Sequence, residues 1–165
     1  MPSLLHDALS ERAKRWLKNT IKCQCAFKEL DTPAGEYPDA FGIKDGITFL
    51  IEVKVSVQDF RADQKKKFRQ HGGGIGMVRW YMTPPALLDA DVIPEGWGLL
   101  ESNGHSVKVI KGITPQDHLY AKMEPNEFIR HERDACAELY ILATHIRRIE
   151  KVTGDSQTFL QQGAK

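Results

Sequence analysis

Ile47-Thr48-Phe49-Leu50-Ile51-Glu52-Val53-Lys54-Val55-Ser56 is dense in β-branched and aromatic residues, and it reads as a strand covered on both faces. Side chains alternate along a strand, so Ile47, Phe49, Ile51, Val53 and Val55 share one face, and Glu52, Lys54 and Ser56 share the other. Just upstream, Asp45-Gly46 separates this run from the apolar segment Ala40-Phe41-Gly42-Ile43. An Asp-Gly pair between two such runs predicts a tight hairpin. The hairpin folds Pro38-Asp39 back beside Glu52. A carboxylate or ammonium buried there is costly unless it is paired or bound to a metal. That cost makes the Asp39, Glu52 and Lys54 constellation the candidate site. Two carboxylates and a cation are what a metal-assisted phosphodiester cleavage needs. For Glu-x-Lys alone, a pair at the end of a strand is the simpler reading, with Asp39 a turn residue.

The chain has 165 residues, 41% hydrophobic and 27% charged, with a formal net charge of +1. This is enough to form one core, and the balance excludes a polycation. No apolar run is long enough to span a bilayer. The first residues read as an amphipathic helix and not a signal peptide, so a cytoplasmic location is expected. Cys23, Cys25 and Cys136 have neither zinc nor disulfide-framework spacing and are expected as small buried thiols. Arg61, Lys65, Lys66, Lys67, Arg69 and Arg79 crowd a stretch whose one acid is Asp63. That excess suits a phosphate backbone, or is a solvated helix face.

Periodicity predicts a helix over 3–19 and a strand over 21–30, followed by a turn cluster from Asp31 to Gly35. Ser56 is placed to cap a helix running to about His71, with Val57, Phe60, Gln64 and Phe68 inward and Gly72-Gly73-Gly74 as its stop. A strand follows over 75–83, ended by Pro84-Pro85. Residues 86–96 read as irregular or weakly helical. A strand pair at 97–101 and 106–110 turns at Asn103-Gly104. Near the end, Pro125 suits the first turn of one long helix or two shorter ones stopping at Gly154. Leu139, Leu142, Ile146 and Ile149 form a seam that packs on the domain or joins two copies as a coiled coil. Residues 155–165 read as a tail. The six histidines show no ligand spacing, and Trp80 and Tyr81 read as core more readily than as base-stacking platforms.

Pro38-Asp39 followed by Glu52-Val53-Lys54 on the next strand resembles the PD-(D/E)xK nuclease superfamily. The longer run from Glu52 to Phe68, EVKVSVQDFRADQKKKF, resembles the MmcB-like DNA repair family, with Ser56, Asp59, Phe60, Asp63 and Lys65 on its positions. The segment Ile93-Pro94-Glu95-Gly96-Trp97-Gly98-Leu99 and Glu29 also fall where that family has counterparts. The resemblance covers roughly residues 5–111 and implies an α/β fold. That fold is a restriction-endonuclease-like αβββαβ core over 1–112, with a mixed central sheet and a helical extension over 113–165.

The function so implied is a metal-dependent DNA endonuclease acting in repair, recombination or phage DNA processing. Asp39, Glu52 and Lys54 would be catalytic. Asp39, Glu52, the Val53 carbonyl and Glu29 would hold Mg²⁺ or Mn²⁺, with Glu11 a weaker candidate. Ser56, Arg61, Gln64, Lys65, Lys66 and Arg69 would contact DNA. A homodimer through the C-terminal helix is a further expectation. Two alternatives stand beside this one: a non-cleaving nucleic-acid-binding module of the same fold, and a protein-interaction factor acting through the C-terminal helix.

Overall fold

Asp45 and Gly46 both adopt left-handed backbone angles, φ 50° and 77°. This is the type I′ geometry that matches the twist of the strands it joins. Lys44 consequently faces Ile47 across a two-residue loop, linking β2 (Ala40–Lys44) to β3 (Ile47–Val53). All seven residues of β3 are buried, as a strand with two apolar-covered faces requires. The computed structural model describes residues 3–28, 35–66, 69, 73–117 and 126–154.

Among these residues one mixed six-stranded sheet runs in the order β1-β2-β3-β4-β5-β6. The remaining strands are β1 (Cys25–Phe27), β4 (Val78–Thr83), β5 (Trp97–Ser102) and β6 (Val107–Lys111). β3, β4 and β5 pair in parallel, and the other pairs are antiparallel. With α1 (Leu4–Trp16) first and α2 (Val57–Asp63) between β3 and β4, the core order is αβββαβ. The fold is thus the α/β class expected, with α3 (Ala135–Thr153) as the C-terminal helix.

The alternation along β3 divides the core in two. Ile47, Phe49, Ile51 and Val53 pack with Leu9, Ala13 and Trp16 of α1 and with Trp80 of β4. Leu50 lies on the opposite face with Phe41, Phe60, Tyr81 and, from α3, Ala137 and Ile141. Each such fully buried side chain contributes on the order of 1.5–3 kcal/mol. Trp80 and Tyr81 are both fully buried and are core residues. At Gly98 a Cβ would run into Trp80 Cδ1 and meet the Lys111 carbonyl oxygen at 2.7 Å. The backbone oxygen has nowhere to go. Gly98→Ala is therefore expected to destabilise the protein by about 1–3 kcal/mol or more, read as a lowered denaturation midpoint in urea.

Several boundaries differ from the sequence reading. α1 ends at Trp16 and passes into a π-helical turn, Leu17–Ile21, closed by Lys22 at φ 64°. β1 starts at Cys25, not at residue 21, and β4 at Val78. α2 spans seven residues instead of reaching His71. Beyond it the chain tightens through i→i−3 bonds, Lys65 to Ala62, Lys66 to Asp63 and Arg69 to Lys66, which swing Arg69 back toward Asp63. Val57 is exposed, not inward.

α3 begins after Asp134, whose carboxylate caps the Ala137 N–H, and not at Pro125, which lies outside the described residues. Its packed side is Ala137 and Ile141, whereas Leu139, Ile146 and Ile149 of the seam are exposed. Buried Glu138 fixes that choice. It accepts from Thr48 Oγ1 at 2.8 Å and the Gly76 N–H at 2.9 Å and pairs with Arg133. The three cysteines are free. Cys23 is buried, its thiol pushed up to about 12 by burial and by neighbouring Cys25. Cys136, expected to be buried, is exposed on the first turn of α3, beside the packed position Ala137. No helix among the described residues is long and apolar enough to cross a membrane.

Candidate active site

The site is built where β3 ends. The paired register of β2 and β3 ends at Ala40 and Ile51, so Asp39 and Glu52 are the next residue beyond it on each chain segment. The chain bends at Asp39, and its Oδ2 accepts the Val53 N–H at 2.8 Å. Its Oδ1 lies 3.2 Å from His6 Nε2. His6 is held in the first turn of α1, where its own N–H donates to the capping Ser3 Oγ. The hydrogen bond to Asp39 raises the His6 pKa against the opposing effect of burial.

Glu52 is 2% exposed and Lys54 4% exposed. Lys54 continues the parallel pairing, its N–H donating to the Met82 carbonyl at 2.9 Å. Its Nζ sits 3.3 Å from Glu52 Oε2 and 3.4 Å from Asp63 Oδ1. Burial acts to lower the Lys54 pKa, but the charges of Glu52, Asp63 and Asp39 outweigh it and the net shift is upward. Burial pushes the Glu52 carboxyl up to about 7, with Arg69 and Lys54 opposing and Asp39 adding to the rise. Asp39 and Glu52 therefore feel each other's charge, as two acids of one site should.

Behind this front lies a second cluster that the sequence did not expose. Arg69 pairs with Glu36 at 2.6 Å, Asp63 at 2.8 Å and Glu52 at 3.0 Å. Asp63 also accepts from Tyr81 Oη at 2.9 Å, and Tyr81 accepts from Gln64 Nε2 at 2.8 Å. Glu36 accepts the Ile75 N–H at 3.0 Å. Burial alone would raise Asp63, but the hydrogen bond and charge of Arg69, with Lys54 beside them, hold its carboxyl far below the usual range. His6, Glu36 and Tyr81 were passed over because each gains its partner from a distant segment. Asp63 stood out through the family resemblance alone.

The residues expected to contact DNA separate into groups. Arg61, Lys65 and Lys66 are exposed on and just after α2, with Lys66 Nζ 2.8 Å from Asp63. Ser56 is the α2 cap, accepting from the Asp59 N–H at 3.1 Å. Gln64 is half-buried on Tyr81. Arg69, counted as a surface cation in the sequence, has a side chain only 3% exposed, enclosed by three carboxylates and set over the Trp97 ring. Arg79 is likewise buried, donating to the Gly76 and Gly73 carbonyls. Glu11 is away from the constellation, paired with Arg15 on the α1 surface. Glu29 lies outside the described residues.

A hard divalent cation can be tested against these donors. No cluster of three or more His, Cys, Asp or Glu placed to hold an ion occurs among the described residues. Two carboxylates nonetheless suffice for an ion that keeps several waters. Glu52 Oε1 is buried with no hydrogen bond, although Arg69 lies within ion-pair distance. An ion held there would share that oxygen with the Arg69 guanidinium, and Asp39, bound to the Val53 N–H, would supply the second carboxylate.

A solved protein of unknown function from Silicibacter pomeroyi has a similar structure, with a TM-score of 0.61 and 18% identity over 93% of this chain and 94% of that one. At that identity the likeness speaks to the fold. No curated protein matches the chain. A family model described as DNA repair protein MmcB-like matches residues 6–145, past the 5–111 span expected and into α3. With most of its length so matched, this chain belongs to the MmcB-like family.

Proposed function

We propose that the protein is a metal-dependent DNA phosphodiesterase of the PD-(D/E)xK type. The observation that carries this reading is that Asp39 Oδ2 accepts the N–H of Val53, the residue after Glu52, at 2.8 Å, with Lys54 Nζ 3.3 Å from Glu52. Asp39, Glu52 and the Val53 carbonyl would hold Mg²⁺ or Mn²⁺, with Glu29 a further candidate. When bound, the ion would lower the pKa of its water and neutralise charge on the phosphate. The chain's own residues do the rest. Lys54 orients the water or stabilises the negative charge on the phosphate oxygens in the transition state, and its compact ammonium suits either task. Asp63 positions Lys54, and His6 orients Asp39. Arg61, Lys65 and Lys66 are exposed and suited to phosphate contacts. DNA as the substrate is supported by the family's description.

The test is incubation of purified protein with Mn²⁺ and a panel of labelled single-stranded, duplex, nicked and branched DNA. Cutting of at least one form is expected, with none in Lys54→Ala. Equal cutting by wild type and variant would assign the activity elsewhere.

The near-complete burial of Glu52 and Lys54 favours a second reading, a binding module that does not cleave. Its signature is DNA binding without metal, steeply weakened by salt, and no product on any form.

A further inference from the structure

α3 carries two stripes. Leu139, Leu142, Ile146 and Ile149 recur at i, i+3, i+7 and i+10. Tyr140, Thr144, Arg147, Arg148 and Lys151 recur at i, i+4, i+7, i+8 and i+11, about 160° around the helix from the first stripe. Among the described residues, the second stripe and Ala143 line a cavity of about 310 Å³. His145 rests against Phe27 of the edge strand β1, ring centroids 3.7 Å apart, and residues 146–154 beyond it are all exposed. Arg147, Arg148 and Lys151 form no ion pair with any described residue, and no acid is among the described residues that line the cavity. Burial depresses the His145 pKa, with the charges of Arg148 and then of Lys14 on α1 adding to it.

We infer that this cavity on α3 is a second phosphate-binding surface, which takes the backbone of a nucleic acid at a place separate from the strand-end site. The inference rests on the DNA reading above and extends it. Three cations crowd this stripe against the single nearby acid Glu150, and the excess positive charge favours an added anion. Two guanidinium forks suit phosphate oxygens, and the Tyr140 and Thr144 hydroxyls add neutral donors. An anionic lipid surface offers the same phosphate chemistry, but the DNA repair description of the family favours nucleic acid, and vesicles form a separate arm of the test.

The experiment is fluorescence anisotropy with a labelled duplex of about 20 base pairs, in EDTA, across a salt series. Arg147→Glu/Arg148→Glu is compared with wild type, with Arg147→Gln/Arg148→Gln and with Lys65→Glu/Lys66→Glu. All these side chains are exposed, so the folds should persist, and far-UV circular dichroism checks it. Charge reversal on α3 is expected to weaken binding about tenfold or more and to flatten the log–log salt slope by about 2, with the glutamine pair intermediate. Unchanged affinity and slope in the α3 variants, with loss in the Lys65/Lys66 variant, would overturn this inference and leave the DNA reading standing. Absence of binding by the wild type itself in EDTA would overturn this inference, whereas the nuclease reading stands or falls on cleavage with Mn²⁺. Binding to phosphatidylserine vesicles that is lost in the α3 variants while duplex binding persists would also overturn it.

Discussion

Arg69→Ala is expected to cost about 3–5 kcal/mol of folding stability, as breaking a buried charge network does. The guanidinium is the shared partner of Glu36, Asp63 and Glu52, whose side chains are 1%, 1% and 3% exposed. Without it, three desolvated carboxylates face one another with Lys54 and Lys66 as the remaining nearby cations. Domains of this size are stable by only about 5–15 kcal/mol, so the variant should unfold at a much lower urea concentration or fail to accumulate. Arg69→Lys should recover little, because one ammonium cannot reach three carboxylates that a planar fork bridges. A loss below about 1 kcal/mol would mean that the network is far wetter than its burial indicates.

The same network sets an acid limit. The folded pKa of Asp63 is depressed, so its contribution to stability is fully present above its unfolded value of about 3.9. That contribution is lost as the pH falls through the folded value. Asp63→Asn should therefore lower stability at pH 7 and flatten the acid limb of a pH-dependent melting curve. An acid limb identical to that of wild type would place the titrating group elsewhere.

Local signals carried the sheet. Asp45-Gly46 fixed the hairpin because its turn conformation depends on those two residues, and β-branched density fixed β3 because covered strands need it. The same hairpin made Asp39 and Glu52 neighbours on paper. Charged residues were harder to read, because sequence shows a charge but not its surroundings. Arg69 looked like one more surface cation among Lys65, Lys66 and Lys67. It is buried because Glu36, 33 positions earlier, and Asp63 both bind it. That same attraction shortens α2, since the chain turns to bring Arg69 home. Glu138 was equally silent, its partner Thr48 lying 90 positions away. Its hydrogen bonds seat α3 on Ala137 and Ile141, and so leave exposed a seam that heptad spacing alone would have buried.

Asp39→Asn and Glu52→Gln are each expected to lower Mn²⁺-dependent cleavage by at least about 10²–10³-fold, the scale on which a single charge-stabilising group acts in a dry site. Both changes keep side-chain volume. The amide introduced by Asp39→Asn retains an oxygen for the Val53 N–H, so the strand end should hold its shape. Glu52→Gln replaces a carboxyl that burial already drives toward the neutral form, so its folding cost should be modest. Loss of activity in a folded variant would then report chemistry and not collapse. An independent readout separates ion binding from turnover. An ion that binds the folded chain at about 100 times its Kd raises stability by about 2.7 kcal/mol. Mg²⁺ or Mn²⁺ should accordingly raise the melting temperature of wild type and leave Asp39→Asn unmoved. Should wild type show the shift but no cleavage, the carboxylates bind metal and the binding-module reading gains. Should neither protein respond to metal while both cut DNA equally, the two acids play no part in the reaction, and the nuclease assignment built on them falls.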